Sequence, residues 1–155
     1  LPIAIRYPRG RGTLLDWQLA FSKIEIGRGE QLKVGDEIAI LSIGTMANNA
    51  LEAIENSSAS EKVACYDMRF VKPLDENLLH TIFRKYKTII TVEDGVKIGG
   101  FGSSITEFAA KYHYNNRIEI LGIPDQFPEH GSMEELQHET GISSYCIQKT
   151  LELYI

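Results

Sequence analysis

A glycine-rich segment lies between two stretches of opposite character. It reads VEDGVKIGGFGSS, covers residues 92–104, follows the apolar run TIITV and precedes ITEFAAKY, whose apolar residues recur at helical spacing. A glycine turn between a strand and a helix often holds a phosphate, because backbone N–H groups and the helix dipole favour an anion there. However, the spacing fits neither the dinucleotide fingerprint nor the P-loop, since no Lys follows Gly102. We interpret the segment as a tight turn with close backbone contacts, and a nucleotide site remains the alternative.

Two neighbouring acids and several scattered histidines are the candidates for acid–base or metal chemistry. Glu93 and Asp94 follow a predicted strand at the sheet edge where ligands usually bind, and paired acids there can hold a metal or transfer protons. No His or third acid stands at a matching spacing, so a solvated turn or a contact to another domain is favoured. His80 and His113 are expected to be exposed, and a lone loop residue such as His130 is more often structural than catalytic. No serine lies in a G-x-S-x-G elbow.

A small basic cluster lies near the start of the chain. Arg6, Arg9 and Arg11 surround Pro8 and Gly10. Guanidinium groups suit phosphate oxyanions, and glycines let backbone amides approach a ligand. The spacing alone favours a solvated linker.

Composition and charge narrow the class of protein. The chain has 155 residues, 43% of them apolar and 24% charged, which suits one compact domain with a real core. Its net charge of −5 does not indicate a basic face that would bind nucleic acid, and no apolar run is long enough to cross a membrane. The chain opens without Met and inside an apparent strand, so we expect a fragment of a longer polypeptide. Cys65 and Cys146 are expected to be buried free thiols in a reducing cytosol.

The elements that position these residues alternate along the chain. Strands are predicted at 38–44, which is apolar enough to be buried on both faces, and at 63–68, 88–93 and 117–123. The segment KIEIGRGEQLKVGDE at 23–37 predicts an edge strand or hairpin, with KIEIG as the strand. Helices are predicted at 46–56, 76–86, from Ser103 or Ser104 onward, at 133–140 and at 143–154, with Thr45 and Asp75 as N-caps and Gly141 as a stop. Because parallel strands need crossovers, this alternation predicts a parallel sheet covered by helices on both faces.

Several motifs together resemble one enzyme family over essentially the whole chain. AIRYPRG, IGRGE, AILSIGTM, DMRFVKPLDENLL, TVEDGVKIGGFGS and LGIPDQFPEHGS resemble the C-terminal part of the 1-deoxy-D-xylulose-5-phosphate synthases, within the transketolase family. The resemblance implies a three-layer α/β/α fold with a five-stranded mixed, mostly parallel sheet that has one antiparallel edge strand. It assigns residues 1–20 to the end of the preceding pyrimidine-binding domain plus a crossover linker, and residues 21–155 to the C-terminal domain.

The resemblance also implies a function for the whole enzyme and little chemistry for this segment. Enzymes of this family are cytoplasmic homodimers that use thiamine diphosphate and Mg²⁺ to condense pyruvate with glyceraldehyde 3-phosphate. The diphosphate–metal motif and the activating glutamate lie in the N-terminal and middle domains, so no catalytic, cofactor or metal residue is expected here. The fragment alone is expected to be inactive. Its expected partners are its own N-terminal and middle domains and a second subunit, with small-molecule substrates and neither nucleic acid nor membrane.

One residue gains a role from the resemblance. The second Arg of R-Y-P-R-G helps anchor the aldehyde phosphate in the family, and that position is Arg9. Arg6 shares the motif as a weaker substrate-binding candidate. Two alternatives stay open: the matching domain of a transketolase or of a 2-oxo-acid dehydrogenase β-subunit, and a free-standing α/β module that binds a protein partner.

Overall fold

The structure, a computed structural model, describes residues 23–155. The apparent strand at the start of the chain, the basic cluster and the domain boundary near residue 20 lie outside the described residues. The strands are β1 Glu30–Lys33, β2 Ile38–Ser42, β3 Val63–Asp67, β4 Thr88–Val96 and β5 Arg117–Ile123. The helices are α1 Met46–Glu55, α2 Glu76–Lys85, α3 Phe101–Lys111, α4 Met133–Glu139 and α5 Ser144–Glu152, with a short 3₁₀ helix at Ser60–Lys62.

The five strands form one mixed sheet in the order β1-β3-β2-β4-β5. Strand β1 pairs antiparallel with β3, and the pairs β2–β3, β2–β4 and β4–β5 are parallel. This is the predicted five-stranded mixed, mostly parallel sheet with one antiparallel edge strand. All five residues of β2 are buried, as expected of a central parallel strand with helices over both faces.

The core consists of two apolar clusters, one on each face of the sheet. The first joins the sheet to α1 and α5, and its members include Ile38, Ile40, Ala50, Ile54, Ile147 and Leu151. The second joins the sheet to α2 and α3, and its members include Ala39, Leu41, Leu79, Ile82, Ile105 and Phe108. Alternate residues of β2 thus enter opposite clusters, because successive strand side chains point to opposite faces. The predicted three-layer α/β/α arrangement is confirmed.

The predicted edge strand at 23–27 was misplaced. The strand begins at Glu30, while Ile24 and Ile26 are 56% and 78% exposed and the N–H of Arg28 donates to the Glu25 carbonyl in a turn. The prediction relied on the alternation of apolar residues. The observed edge strand reads EQLK and is mostly exposed, so it needs no apolar face.

The N-cap positions predicted for α1 and α2 are confirmed, and the predicted start of α3 was wrong. Asp75 caps α2, since its Oδ1 accepts from the N–H of Leu78 at 3.0 Å. Thr45 stands at the N-cap of α1, but its side chain makes no capping hydrogen bond. Helix α3 begins at Phe101 and not at either predicted serine. Gly141 separates α4 from α5 with φ +79°, as its predicted role as a stop requires. Within residues 23–155, none of the helices has the length and apolar character that crossing a membrane would demand.

Candidate functional site

The Glu93 carboxylate lies at the N-terminus of α3, at the carboxyl end of β4. Its Oε2 accepts from the N–H of Phe101 and its Oε1 from the N–H of Gly102, both at 2.8 Å. The residue is only 4% exposed. Helix N-termini attract anions because their first N–H groups lack partners within the helix. The chain's own carboxylate therefore occupies the position where a glycine loop of this kind would hold a phosphate.

The glycines of this loop make the close approach possible. A Cβ on Gly100 would overlap Glu93 Oε2 and the Val96 carbonyl oxygen, and one on Gly102 would lie 2.5 Å from Ile120 Cγ2. The expectation of a close backbone contact at these glycines is thus confirmed. The positive φ of the turn belongs to Gly99, at +74°.

The turn before α3 is held by its own hydrogen bonds. Ser103 Oγ accepts from the N–H of Gly99 at 3.0 Å and donates to the Lys97 carbonyl at 2.7 Å. The N–H of Lys97 donates to the Ile123 carbonyl at 2.9 Å, which fixes the turn to the end of β5. The loop is therefore built into the domain and leaves no cradle for a phosphate.

The structure separates the two neighbouring acids. Glu93 is buried and bonded at both oxygens, whereas Asp94 is exposed. Because successive strand residues point to opposite faces, the two carboxylates do not converge on one ligand. The preferred interpretation of Glu93 as part of a solvated turn or a domain contact was wrong, since Glu93 caps a helix eight residues further along the chain. No spacing pattern in the sequence predicts a cap of this kind.

The histidines lie in different environments. His80 is half-buried, contrary to expectation, with Nδ1 2.8 Å from Tyr114 Oη and its ring against Phe108 and Tyr112. His113 is exposed as predicted. His130 is also exposed, and among residues 23–155 no group of three or more His, Cys, Asp or Glu side chains converges as metal ligands would.

The two cysteine thiols differ in burial, which the sequence did not indicate. Cys65 is fully buried on β3, and burial raises the pKa of its thiol to about 12. Cys146 is only half-buried, and its Sγ lies 3.8 Å from His138 Nδ1 at the start of α5. Both thiols are free, but the prediction that both are buried was wrong for Cys146.

Arg6 and Arg9, the substrate-binding candidates, lie outside the described residues.

Comparison with known proteins identifies the family. The family model for the C-terminal domain of transketolase matches residues 27–147. This chain belongs to the transketolase C-terminal domain family. A solved structure described as a split gene transketolase, an inactive beta4 tetramer, superposes with a TM-score of 0.75 at 28% identity, over 85% of this chain and 42% of that one. The fold inferred from the sequence is thereby confirmed.

Curated relatives narrow the resemblance within this family. A 1-deoxy-D-xylulose-5-phosphate synthase of Phocaeicola vulgatus is 47% identical over 152 residues, which are 97% of this chain and 24% of that protein. The enzyme of the same name from Vibrio parahaemolyticus is 40% identical over 154 residues, 99% of this chain and 24% of that protein. The chain thus spans about a quarter of the length of the relatives it matches, and the resemblance stated from its motifs is confirmed.

Proposed function

We propose that this chain is the C-terminal domain of a thiamine-diphosphate-dependent 1-deoxy-D-xylulose-5-phosphate synthase. The whole enzyme would condense pyruvate with glyceraldehyde 3-phosphate and release carbon dioxide. The observation that carries the proposal is the identity of 47% to a synthase over 97% of this chain. A transketolase is the second candidate, on the strength of the fold match, but its identity of 28% is much lower.

The domain would act in this enzyme by supporting assembly. Its partners would be the N-terminal and middle domains of the same polypeptide and a second subunit, in a cytoplasmic homodimer with a shared substrate channel. Thiamine diphosphate and Mg²⁺ would be held by those other domains. The turn before α3 does not fit a diphosphate, because the Glu93 carboxylate already accepts from both N–H groups there. The isolated chain is accordingly proposed to be inactive.

Arg9 is the proposed substrate-binding residue of this segment. Its support is its place as the second Arg of the R-Y-P-R-G motif and the match of guanidinium to phosphate geometry. It would contact the phosphate of the aldehyde substrate, with Arg6 a weaker candidate.

The proposal is tested on the complete polypeptide that contains this segment. With thiamine diphosphate and Mg²⁺, the protein is expected to release carbon dioxide from pyruvate only when glyceraldehyde 3-phosphate is converted with it. Transfer of a two-carbon unit from a ketose phosphate to an aldose phosphate, without use of pyruvate, would instead establish a transketolase. Calorimetry on the 155-residue chain, with thiamine diphosphate and Mg²⁺, is expected to show no binding at micromolar concentration. Micromolar binding would refute the proposed division of roles between domains.

A further inference from the structure

A group of basic side chains lies together without carboxylate partners. Among residues 23–155, five lysines and arginines form ion pairs with acids: Arg28, Lys62, Arg69, Lys111 and Lys149. Arg84, Lys85, Lys87 and Arg117 have no carboxylate oxygen within 4.0 Å in the same part of the chain. All four line one depression, although the chain as a whole carries a net charge of −5.

The depression lies at the amino ends of β4 and β5, the sheet edge opposite to Glu93. It is lined by residues 83–88 and 115–117 and has a volume of about 540 Å³. The depression is open to solvent, so a ligand there would keep part of its surface exposed. No Asp or Glu is among its lining residues.

The floor of the depression is fixed by hydrogen bonds that join its two segments. Asn116 Nδ2 donates to the Phe83 carbonyl at 2.8 Å, and the N–H of Arg117 donates to the Lys87 carbonyl at 2.9 Å. Two of the cations are also held in place, because Lys85 Nζ donates to the Gly35 carbonyl at 2.9 Å and the Arg117 guanidinium lies 4.9 Å from the Tyr154 ring centroid. The backbone of the depression and two of its four cations thus have defined positions.

The dipole of α2 explains the position of only two of these four cations. Arg84 and Lys85 occupy the last turn of α2, where cations are favoured by the helix dipole. Lys87 and Arg117 lie outside any helix, at the starts of neighbouring strands, and gain nothing from it. Glu119, two residues along β5 from Arg117, accepts from Tyr154 Oη and keeps its negative charge, but it does not line the depression. Within residues 23–155, no carboxylate oxygen thus lies within 4.0 Å of any of these four cations.

From this we infer that the depression formed by residues 83–88 and 115–117 binds a small anionic ligand with two or more phosphate groups. The planar guanidinium groups of Arg84 and Arg117 suit phosphate oxygens, and Lys85 and Lys87 add point charges. One phosphate group would engage only some of four cations spread over two segments. The site lies apart from Arg9 in sequence and does not depend on the proposed enzyme activity.

The test is a titration of the 155-residue chain with sodium pyrophosphate at constant ionic strength, followed by amide chemical shifts. Shift changes are expected at residues 83–88 and 115–117. The double variant Arg84→Gln/Lys87→Gln is expected to raise the dissociation constant at least about tenfold, since it removes two charge-assisted contacts. Lys87→Gln alone should give a smaller increase, and it serves as the readout if the double variant does not fold.

A matched control removes the same charge elsewhere. Lys23 and Lys72 are exposed and do not line the depression, so Lys23→Gln/Lys72→Gln should bind pyrophosphate like the unmodified chain. Equal weakening in both double variants would mean that net charge alone attracts the anion, and the proposal would fail. It would also fail if the shift changes spread over lysines throughout the chain, or if citrate bound as tightly as pyrophosphate.

Discussion

Glu93 and Gly100 depend on each other at the start of α3. The carboxylate can reach the N–H groups of Phe101 and Gly102 only because a glycine leaves room beside it. Buried donors that lose their acceptor cost about 1–3 kcal/mol each. The pair therefore fixes how β4 leads into α3.

Gly100→Ala should destabilise the domain by about 1–3 kcal/mol, because the new Cβ would overlap Glu93 Oε2 and the backbone oxygen of Val96. Gly131→Ala is the matched control, since its Cβ would meet nothing closer than 3.4 Å. Urea unfolding of both variants measures the difference. Identical midpoints for Gly100→Ala and the unmodified chain would show that the loop can shift at little cost.

In the proposed synthase, Arg9→Ala should raise the apparent KM for glyceraldehyde 3-phosphate and leave that for pyruvate nearly unchanged. Only the aldehyde carries a phosphate, and one charge-assisted contact is worth roughly 1.5–3 kcal/mol, or about ten- to a hundredfold in kcat/KM. Arg9→Lys should recover only part, because an ammonium group cannot make the bidentate fork. Steady-state kinetics with each substrate varied in turn gives the answer. Equal effects on both substrates would mean a general disturbance of this segment.

The sequence predicts the close backbone approach at the glycine turn but not the residue that it approaches. The glycines were recognised as a place of close backbone approach, because few other roles suit G-G-F-G between a strand and a helix. The partner of that approach, Glu93, was not recognised. Its role depends on how the chain folds between Glu93 and Phe101, and no local pattern encodes this. For the same reason His80 was expected at the surface, whereas Tyr112 and Tyr114 from the next helix region cover it.

At the scale of elements, Asp75 joins two parts of the domain. Its Oδ1 caps α2 through the N–H of Leu78, and its Oδ2 accepts from the N–H of Gly29, just before β1, at 3.1 Å. Arg28 adds a charge 3.7 Å from Oδ1. One buried carboxylate thus holds both a helix start and the approach to the edge strand.

Asp75→Ala should destabilise the domain by about 2–4 kcal/mol, since it leaves two N–H groups without their acceptor. Asp75→Asn should cost less, because the amide oxygen still accepts one bond. Thr45→Ala is the control: Thr45 holds the same N-cap position in α1 without a side-chain bond, so a change below about 0.5 kcal/mol is expected. Thermal unfolding of the three variants tests this order. A loss at Thr45 as large as that at Asp75 would contradict the structural account of capping.

The four parallel strands were predictable from the sequence, and the antiparallel edge strand β1 was not. Strands β2, β3 and β4 coincide with apolar runs, because a parallel strand between two helical layers is apolar on both faces, whereas β5 at the edge is mostly half-buried. Strand β1 carries polar residues that face solvent, so its pairing with β3 depends on backbone hydrogen bonds and leaves no periodic signal. The alternating apolar residues Ile24 and Ile26 therefore led to an edge strand being predicted before the true position of β1.

At the scale of the whole molecule, the two clusters share one sheet, so the domain should unfold as a unit. Residues of β2 alternate between the clusters, and a loss of packing on one face removes support from the other. Cys65 lies in the first cluster, on a strand between β1 and β2, and is fully buried. Its modification can therefore report on opening of the entire domain.

Iodoacetamide should modify Cys146 in the folded chain and leave Cys65 unmodified. The thiolate is the reacting form, and with a pKa of about 12 the Cys65 thiol is ionised in only about one molecule in ten thousand at pH 8, besides being out of reach of the reagent. In a Cys146→Ser variant, Cys65 modification should begin only at urea concentrations that unfold the domain, and its rate should follow the fraction unfolded. Mass spectrometry with time gives both rates. Modification of Cys65 without urea, at a rate near that of Cys146, would show that the face of the sheet under α1 and α5 opens independently of the rest.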